Sequence, residues 1–163
     1  MLTGKGSGKK MKSKTGKKAS NFKLQSTSEK TFELSKIKSG VVLYFYPKDN
    51  TPGCTLETID FSKLYMKFKK LDYEIVGISK DSIESHLGFK KRFKVPFELL
   101  SDEKLQVQKK YGVWGKKSFL GKQFMGTIRS TIVINKGNIL KIWSNVRVKN
   151  HAQEVLDFIK SQK

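Results

Sequence analysis

An α/β fold is predicted by three features of this 163-residue chain. First, the aromatic and β-branched run Gly40-Val41-Val42-Leu43-Tyr44-Phe45-Tyr46 reads as a buried central strand, and a Pro47-Lys48-Asp49-Asn50 turn and a helix-start signal follow it. Second, the apolar run at residues 73–79 has the same sequel, with Ser82 placed to cap a helix. Third, strands and helices alternate along the chain, which argues a sheet flanked by helices rather than a bundle or a sandwich.

The elements follow in order. Residues 1–20 carry Lys5, Lys9, Lys10, Lys12, Lys14, Lys17 and Lys18 among glycines, serines and threonines, with no acidic residue. Such a segment cannot bury apolar area, so a flexible basic arm is expected there. Residues 21–24 and 31–34 read as short strands or an edge hairpin, ahead of the central strand at 41–46. A helix is expected over 52–70, with Leu56, Ile59, Phe61, Leu64, Met66 and Phe68 on its apolar side and lysines on its wet side. A strand at 73–79 and a helix from Ser82 to about Phe93 come next. Then follow a third core strand at 97–100 and a short helix at 102–111. A hairpin of 126–135 and 138–144 turns about Lys136-Gly137, and an amphipathic helix at 150–160 closes the domain.

Cys54 is the chain's single cysteine, and its placement carries the chemistry. Thr51-Pro52 reads as an N-cap followed by proline at the first helical position, which puts Cys54 in the first turn. Unpaired N–H groups and the positive end of the helix dipole favour an anion there. A thiol so placed is drawn toward its thiolate, the nucleophilic form. A lone cysteine is ordinarily small core filler. Strand, tight turn, Thr-Pro cap and cysteine in succession favour the reactive reading.

Composition narrows the rest. The chain length suits one domain. The basic N-terminus lacks the apolar core of a secretion signal, and the longest apolar run is too short to span a bilayer, so no membrane partner is expected. One cysteine forbids an intrachain disulfide and suggests a reducing compartment. His86 and His151 are isolated in the sequence and read as surface or structural residues, and no metal or other cofactor is expected. The net charge of +20 is far from that of an ordinary small enzyme; removing the seven arm lysines still leaves +13. A basic arm on a basic domain points to a polyanion, and lysine-to-phosphate contacts would read no base sequence. Other roles for the arm are a solubilising tail or a nuclear address.

Pro47-x-x-x-Thr51-x-x-Cys54 resembles the peroxidatic motif of the peroxiredoxins. The longer stretch from Tyr44 to Glu57 is similar to the bacterioferritin-comigratory, or peroxiredoxin Q, subfamily, and the likeness extends from Asn21 to the C-terminus. It takes in Gly77-Ile78-Ser79-Lys80-Asp81, Leu99-Leu100-Ser101-Asp102, Lys110-Tyr111-Gly112-Val113-Trp114-Gly115 and Gly126-Thr127-Ile128-Arg129-Ser130-Thr131. The resemblance implies a thioredoxin-like fold over 21–163, a central mixed sheet flanked by helices, with Cys54 at the carboxyl end of a central strand. It implies Cys54 as nucleophile, Thr51 directing its hydroxyl at the thiolate or peroxide, and Pro47 shaping and shielding the pocket. It also implies Arg129 as the cation beside the thiol. Backbone N–H groups of Gly53 and Cys54 could donate to peroxide oxygens. Glu57 matches the subfamily's Cys-Thr-x-Glu pattern, and also reads as a simple first-turn acid.

One departure is informative. Many members carry a resolving cysteine five residues after the first, and here that position is Ile59. A Cys54 sulfenic acid would therefore need an external thiol, from glutathione, a glutaredoxin or thioredoxin, and would be open to over-oxidation. The expected activity is a one-cysteine, thiol-dependent reduction of hydrogen peroxide and organic hydroperoxides, by a monomer or weak dimer. The expected place is the cytoplasm, near the nucleoid, or a nucleus. The competing expectation is a DNA-binding protein on a peroxiredoxin scaffold whose catalysis is vestigial.

Overall fold

The computed structural model describes residues 14–163. Its main sheet is mixed and seven-stranded, and its strand order β2-β1-β5-β4-β3-β8-β9 places the central strand deep inside. The strands are β1 (Lys23–Ser26), β2 (Thr31–Glu33), β3 (Gly40–Phe45), β4 (Tyr73–Ser79), β5 (Glu98–Ser101), β8 (Ser130–Asn135) and β9 (Asn138–Ser144). β3, β4 and β5 run parallel, while β8 pairs antiparallel with β3. Helices α1 (Pro52–Lys70), α2 (Ile83–Phe93), α3 (Gln106–Tyr111) and α4 (His151–Ser161) complete the domain.

β3 is buried at every residue because both faces of the sheet are covered. Val42, Tyr44 and Tyr46 point to one face and pack with Phe61 and Phe68 of α1, Phe89 of α2 and Val155 and Leu156 of α4. Val41, Leu43 and Phe45 point to the other, against Phe22, Leu24, Leu100 and Tyr111. Gly77 stands opposite Tyr44 on β4, and a Cβ there would lie 2.8 Å from the Tyr44 ring, so only glycine admits that side chain. The Lys136-Gly137 turn between β8 and β9 has φ of 53° and 79°, the two left-handed residues of a tight hairpin.

Several expectations shift. The third core strand is displaced to Glu98–Ser101, and α3 begins at Gln106 rather than at Asp102. Gly126 and Thr127 do not open β8; they end a separate strand. That strand, β7 (Lys122–Thr127), pairs with β6 (Trp114–Phe119) in a two-stranded sheet absent from the sequence reading. Leu120 and Gly121 form its turn with φ of 52° and 81°. A leucine in the left-handed region and a Lys- and Gly-rich flank conceal this hairpin in the sequence.

Residues 16–19, within the stretch expected to be a flexible arm, are paired to the sheet. The N–H of Gly16 donates to the Ile139 carbonyl at 2.8 Å, Ile139 N–H to the Lys17 carbonyl at 2.9 Å, and Ala19 N–H to Gly137 at 2.8 Å. Residues 16–19 are therefore laid along the start of β9. Their backbone uses the sheet's free edge, and the half-buried Ala19 packs against the core beside it. Lys5, Lys9, Lys10 and Lys12 lie outside the described residues.

Candidate active site

α1 builds the site because its inward stripe starts at Cys54. Spacings of three, four and seven residues from Cys54 reach Glu57, Thr58 and Phe61, and all four are buried. Leu56 and Met66, expected inside, are exposed, because that stripe turns them outward. Glu57 is correspondingly not a first-turn acid: it lies past the first turn and only 1% of it is accessible.

Cys54 is the third residue of α1, itself only 1% accessible. Asn50 turns the chain into the helix at φ 64°, a conformation asparagine tolerates. The helical ladder opens with the N–H of Thr55 on the Thr51 carbonyl at 2.8 Å. The N–H groups of Gly53 and Cys54 precede it as first-turn donors beside the thiol.

Arg129 arrives from the other side of the sheet. It sits between β7 and β8, where Ile128 N–H donates to Val113 at 2.7 Å and Val146 N–H donates to the Arg129 carbonyl at 3.0 Å. With its backbone pinned, the planar guanidinium spans two acceptors. Nη2 donates to Cys54 Sγ at 3.4 Å, and Nη1 donates to Glu57 Oε1 at 2.7 Å. A Cβ on Gly53 would come within 3.3 Å of Nη2, so glycine leaves that approach open. Burial opposes the Arg129 charge, but Glu57 and Cys54 outweigh it and hold its pKa above the usual value.

Glu57 is unusual among buried carboxyls. Burial raises its pKa from 4.5 to about 7; the Arg129 cation opposes this, while Asp60 adds to it. Its second oxygen, Oε2, is buried without a hydrogen-bond partner among the described residues.

Thr51 stands before α1 in extended conformation, but its side chain does not cap the helix. Its hydroxyl donates instead to the Lys48 carbonyl at 2.8 Å, so the face left for a ligand is a lone pair, an acceptor. Pro47 is half-buried in the same β3–α1 loop. Cys54, Arg129 and Glu57 are thus in direct contact, with Thr51 and Pro47 on the loop that leads to them.

A second buried network holds this loop from behind, and the sequence reading missed it. Asp49 accepts from Tyr46 Oη at 2.6 Å and from Ser85 Oγ at 2.8 Å. His86 Nδ1 lies 2.7 Å from Asp49 Oδ2, and His86 Nε2 lies 2.9 Å from the Leu100 carbonyl. Asp81 takes the Asp49 N–H at 2.9 Å. Asp49, Asp81 and His86 are close enough together to suggest metal ligands, yet their facing atoms are committed to these hydrogen bonds. His86 and His151 are both buried, which corrects the expectation of surface histidines and keeps the structural one. His151 holds Thr131 at 2.8 Å, and burial depresses its pKa. The one sequence cue to the Asp49–His86 network was Asp49 inside the motif.

Of the arm lysines, Lys14, Lys17 and Lys18 are described and exposed. Lys18 pairs with Asn138, beside the turn that faces the amino end of β3, whereas Cys54 lies beyond its carboxyl end. The arm root and the thiol therefore occupy opposite ends of the sheet.

A family model described as the AhpC/TSA family matches residues 15–142. The peroxiredoxin Bcp of Bacillus subtilis is 43% identical over 147 residues, spanning 89% of this chain and 94% of that protein. The chloroplastic peroxiredoxin Q of Sedum lineare is 41% identical, spanning 87% of this chain and 75% of its own. Among solved structures, a Xanthomonas campestris peroxiredoxin Q superposes with TM-score 0.82 at 35% identity, over 86% of this chain and 90% of that one. A structure of the Xanthomonas campestris bacterioferritin comigratory protein, described for its alkyl peroxide reduction activity, has TM-score 0.82 at 34% identity and covers 86% and 91% of the two chains. No helix of the described residues is long and apolar enough to cross a membrane.

Proposed function

The chain belongs to the AhpC/TSA family and is a peroxiredoxin, a thiol peroxidase; from that premise we propose the following roles for its residues. The Cys54 thiolate attacks the terminal oxygen of a hydroperoxide. An S–O bond forms, the O–O bond breaks, and the departing oxygen takes a proton to leave as water or an alcohol. Arg129 holds the thiolate and neutralises charge that moves onto the departing oxygen, assisted by the first-turn N–H groups of Gly53 and Cys54. The Thr51 lone pair accepts from the peroxide's own O–H, and Pro47 screens the loop side from water. Hydrogen peroxide and organic hydroperoxides are the substrates, the second supported by the alkyl peroxide activity of the Xanthomonas campestris relative.

The observation that carries this reading is Arg129 Nη2 at 3.4 Å from the only thiol of the chain. With no second cysteine, the product is Cys54 sulfenic acid, which one external thiol converts to a mixed disulfide with loss of water and a second thiol releases. Peroxide consumption with dithiothreitol tests it. Wild type turns over and Cys54→Ser falls to the uncatalysed rate; equal rates would end the assignment.

A second reading adds sequence-independent DNA binding through the arm lysines and the basic surface, which places the peroxidase beside nucleic acid in the cytoplasm or a nucleus. The charge of +20 supports it. The root of the arm, at the far end of the sheet from Cys54, would let a duplex be held without covering the thiol. If five to seven lysines engage phosphates, log K falls against log salt with a slope of roughly −5 to −6. Deleting residues 1–15, short of the backbone pairing with β9, should weaken duplex retention in a gel shift and spare peroxide turnover. Retention without any Cys54-dependent turnover would instead favour the DNA-binding scaffold with vestigial catalysis.

A further inference from the structure

Four of the seven large apolar side chains exposed among the described residues lie on one hairpin, β6–β7: Phe119, Leu120, Phe124 and Met125. Leu120 at its tip is 85% accessible and Phe119 is 66% accessible. A small soluble surface rarely leaves such a cluster uncovered unless something binds there. The same hairpin carries Lys116, Lys117 and Lys122 and no acidic residue.

Register turns Phe119 and Phe124 to one side of the hairpin, while Met125, opposite Lys116, faces the other. Gly115 pairs with Gly126, Lys117 with Phe124, and Phe119 with Lys122. These pairs are two residues apart on each strand, so all six share one face. The inner end of that face leads toward the site: Lys117 Nζ donates to the Thr127 carbonyl at 2.8 Å, two residues from Arg129. Burial lowers the Lys117 pKa, Arg129 lowers it further, and Cys54 opposes them, so the ammonium lies within the field of both site residues. Gly126 lets the Lys117 stem lie 3.0 Å and the Phe124 ring 3.3 Å from where its Cβ would be. From Cys54 outward the face therefore reads Arg129, Lys117, Phe124, then Phe119 beside Lys122.

The chemistry needs a visitor at this place. Cys54 is the only thiol, and it is buried, so a protein thiol reaches its sulfenic acid only when the protein is seated against the mouth of the site. We propose that this face of the β6–β7 hairpin docks the reductant of Cys54, an acidic dithiol protein whose reactive thiol stands in an apolar surface. The apolar centre is met by Phe119 and Phe124, and the lysines match the partner's acidic rim. One partner thiol condenses with Cys54 sulfenic acid, forming the mixed disulfide and releasing water. The partner's second thiol then displaces the Cys54 thiolate and leaves the partner as an intramolecular disulfide, oxidised by two electrons. The proposal rests on the peroxidase reading above.

The test compares the full chain with the Phe119→Ser/Phe124→Ser variant, and separately with Lys122→Glu in case the double variant folds poorly. Each is driven by thioredoxin recycled with its NADPH-dependent reductase, and in parallel by dithiothreitol. The expected result is a KM for thioredoxin raised at least tenfold by the double variant and several-fold by the charge reversal. The dithiothreitol-driven rate and the KM for hydrogen peroxide should change less than twofold. An unchanged KM for thioredoxin overturns the proposal, as does a wild type that dithiothreitol drives and thioredoxin does not. A raised KM for cumene hydroperoxide alone would assign the face to the substrate's hydrocarbon, and a dimer lost on mutation would assign it to a second copy; both also overturn it. Absence of dithiothreitol-driven turnover in wild type sinks the peroxidase reading itself, a distinct result.

Discussion

Two buried ionisable pairs flank the loop before Cys54, and they are built in opposite ways. Asp49 and His86, behind the loop, have both carboxylate oxygens and both ring nitrogens within hydrogen-bond reach of partners. Glu57 and Arg129, in front of it, leave Glu57 Oε2 without one and lend Nη2 to the thiol. A fully satisfied network rigidifies what it ties together, here β3, α2 and β5. An incompletely satisfied one retains an ionisation that can respond to what enters the site. The contrast teaches that polar burial alone does not mark the working groups; the pair that touches the thiol is the one that keeps an unpaired oxygen.

The contrast can be broken by removing each member in turn. Asp49→Ala should have the largest effect on the fold, because it strands His86 and Tyr46 in the core. A loss of about 3–5 kcal/mol is expected in urea unfolding, with dithiothreitol-driven turnover of the folded fraction reduced less than tenfold. Arg129→Lys should do the reverse. A lysine cannot span Glu57 and Cys54 with one planar fork, so kcat/KM for hydrogen peroxide should fall by about 10²–10³, with little change in unfolding midpoint. If Asp49→Ala costs activity and spares stability, the distinction between the two pairs is lost.

The smallest effect sharpens the comparison through pH. Glu57 holds its proton up to about pH 7 in the fold but only to about 4.5 when unfolded. Between those values the native state binds more protons than the unfolded state, so stability falls as pH rises through that window and stays lower above it. The shift corresponds to of the order of 3 kcal/mol at most. Glu57→Gln, neutral throughout, should flatten this dependence when urea unfolding is compared at pH 5 and pH 8. A wild type equally stable at both values would show that Arg129 keeps the carboxylate ionised throughout.

Much of this was legible in the sequence. The β3 run, the Thr51-Pro52 helix start, the Ser82 cap and the Lys136-Gly137 turn are local signals, and each element forms near where they place it. Thr51 shows the limit of such reading: it precedes the helix as expected, yet its hydroxyl bonds the Lys48 carbonyl of the preceding turn and caps no helix N–H. The β6–β7 hairpin was hidden because its turn uses Leu120, and its strands carry lysine and glycine where a periodic apolar face would betray them.

By itself the sequence determined the family and the setting of its one thiol, since a cysteine's place in a helix's first turn depends on its near neighbours. It also determined that the chain has no second cysteine of its own to pair with Cys54. Only the tertiary structure decided which of the chain's 34 lysines and arginines touches the thiol, which carboxyl it shares, and that the basic arm roots at the far end of the sheet. Those are distances between residues some 75 positions apart. They are set by strand order and by the pairing of distant segments, which no single local stretch specifies.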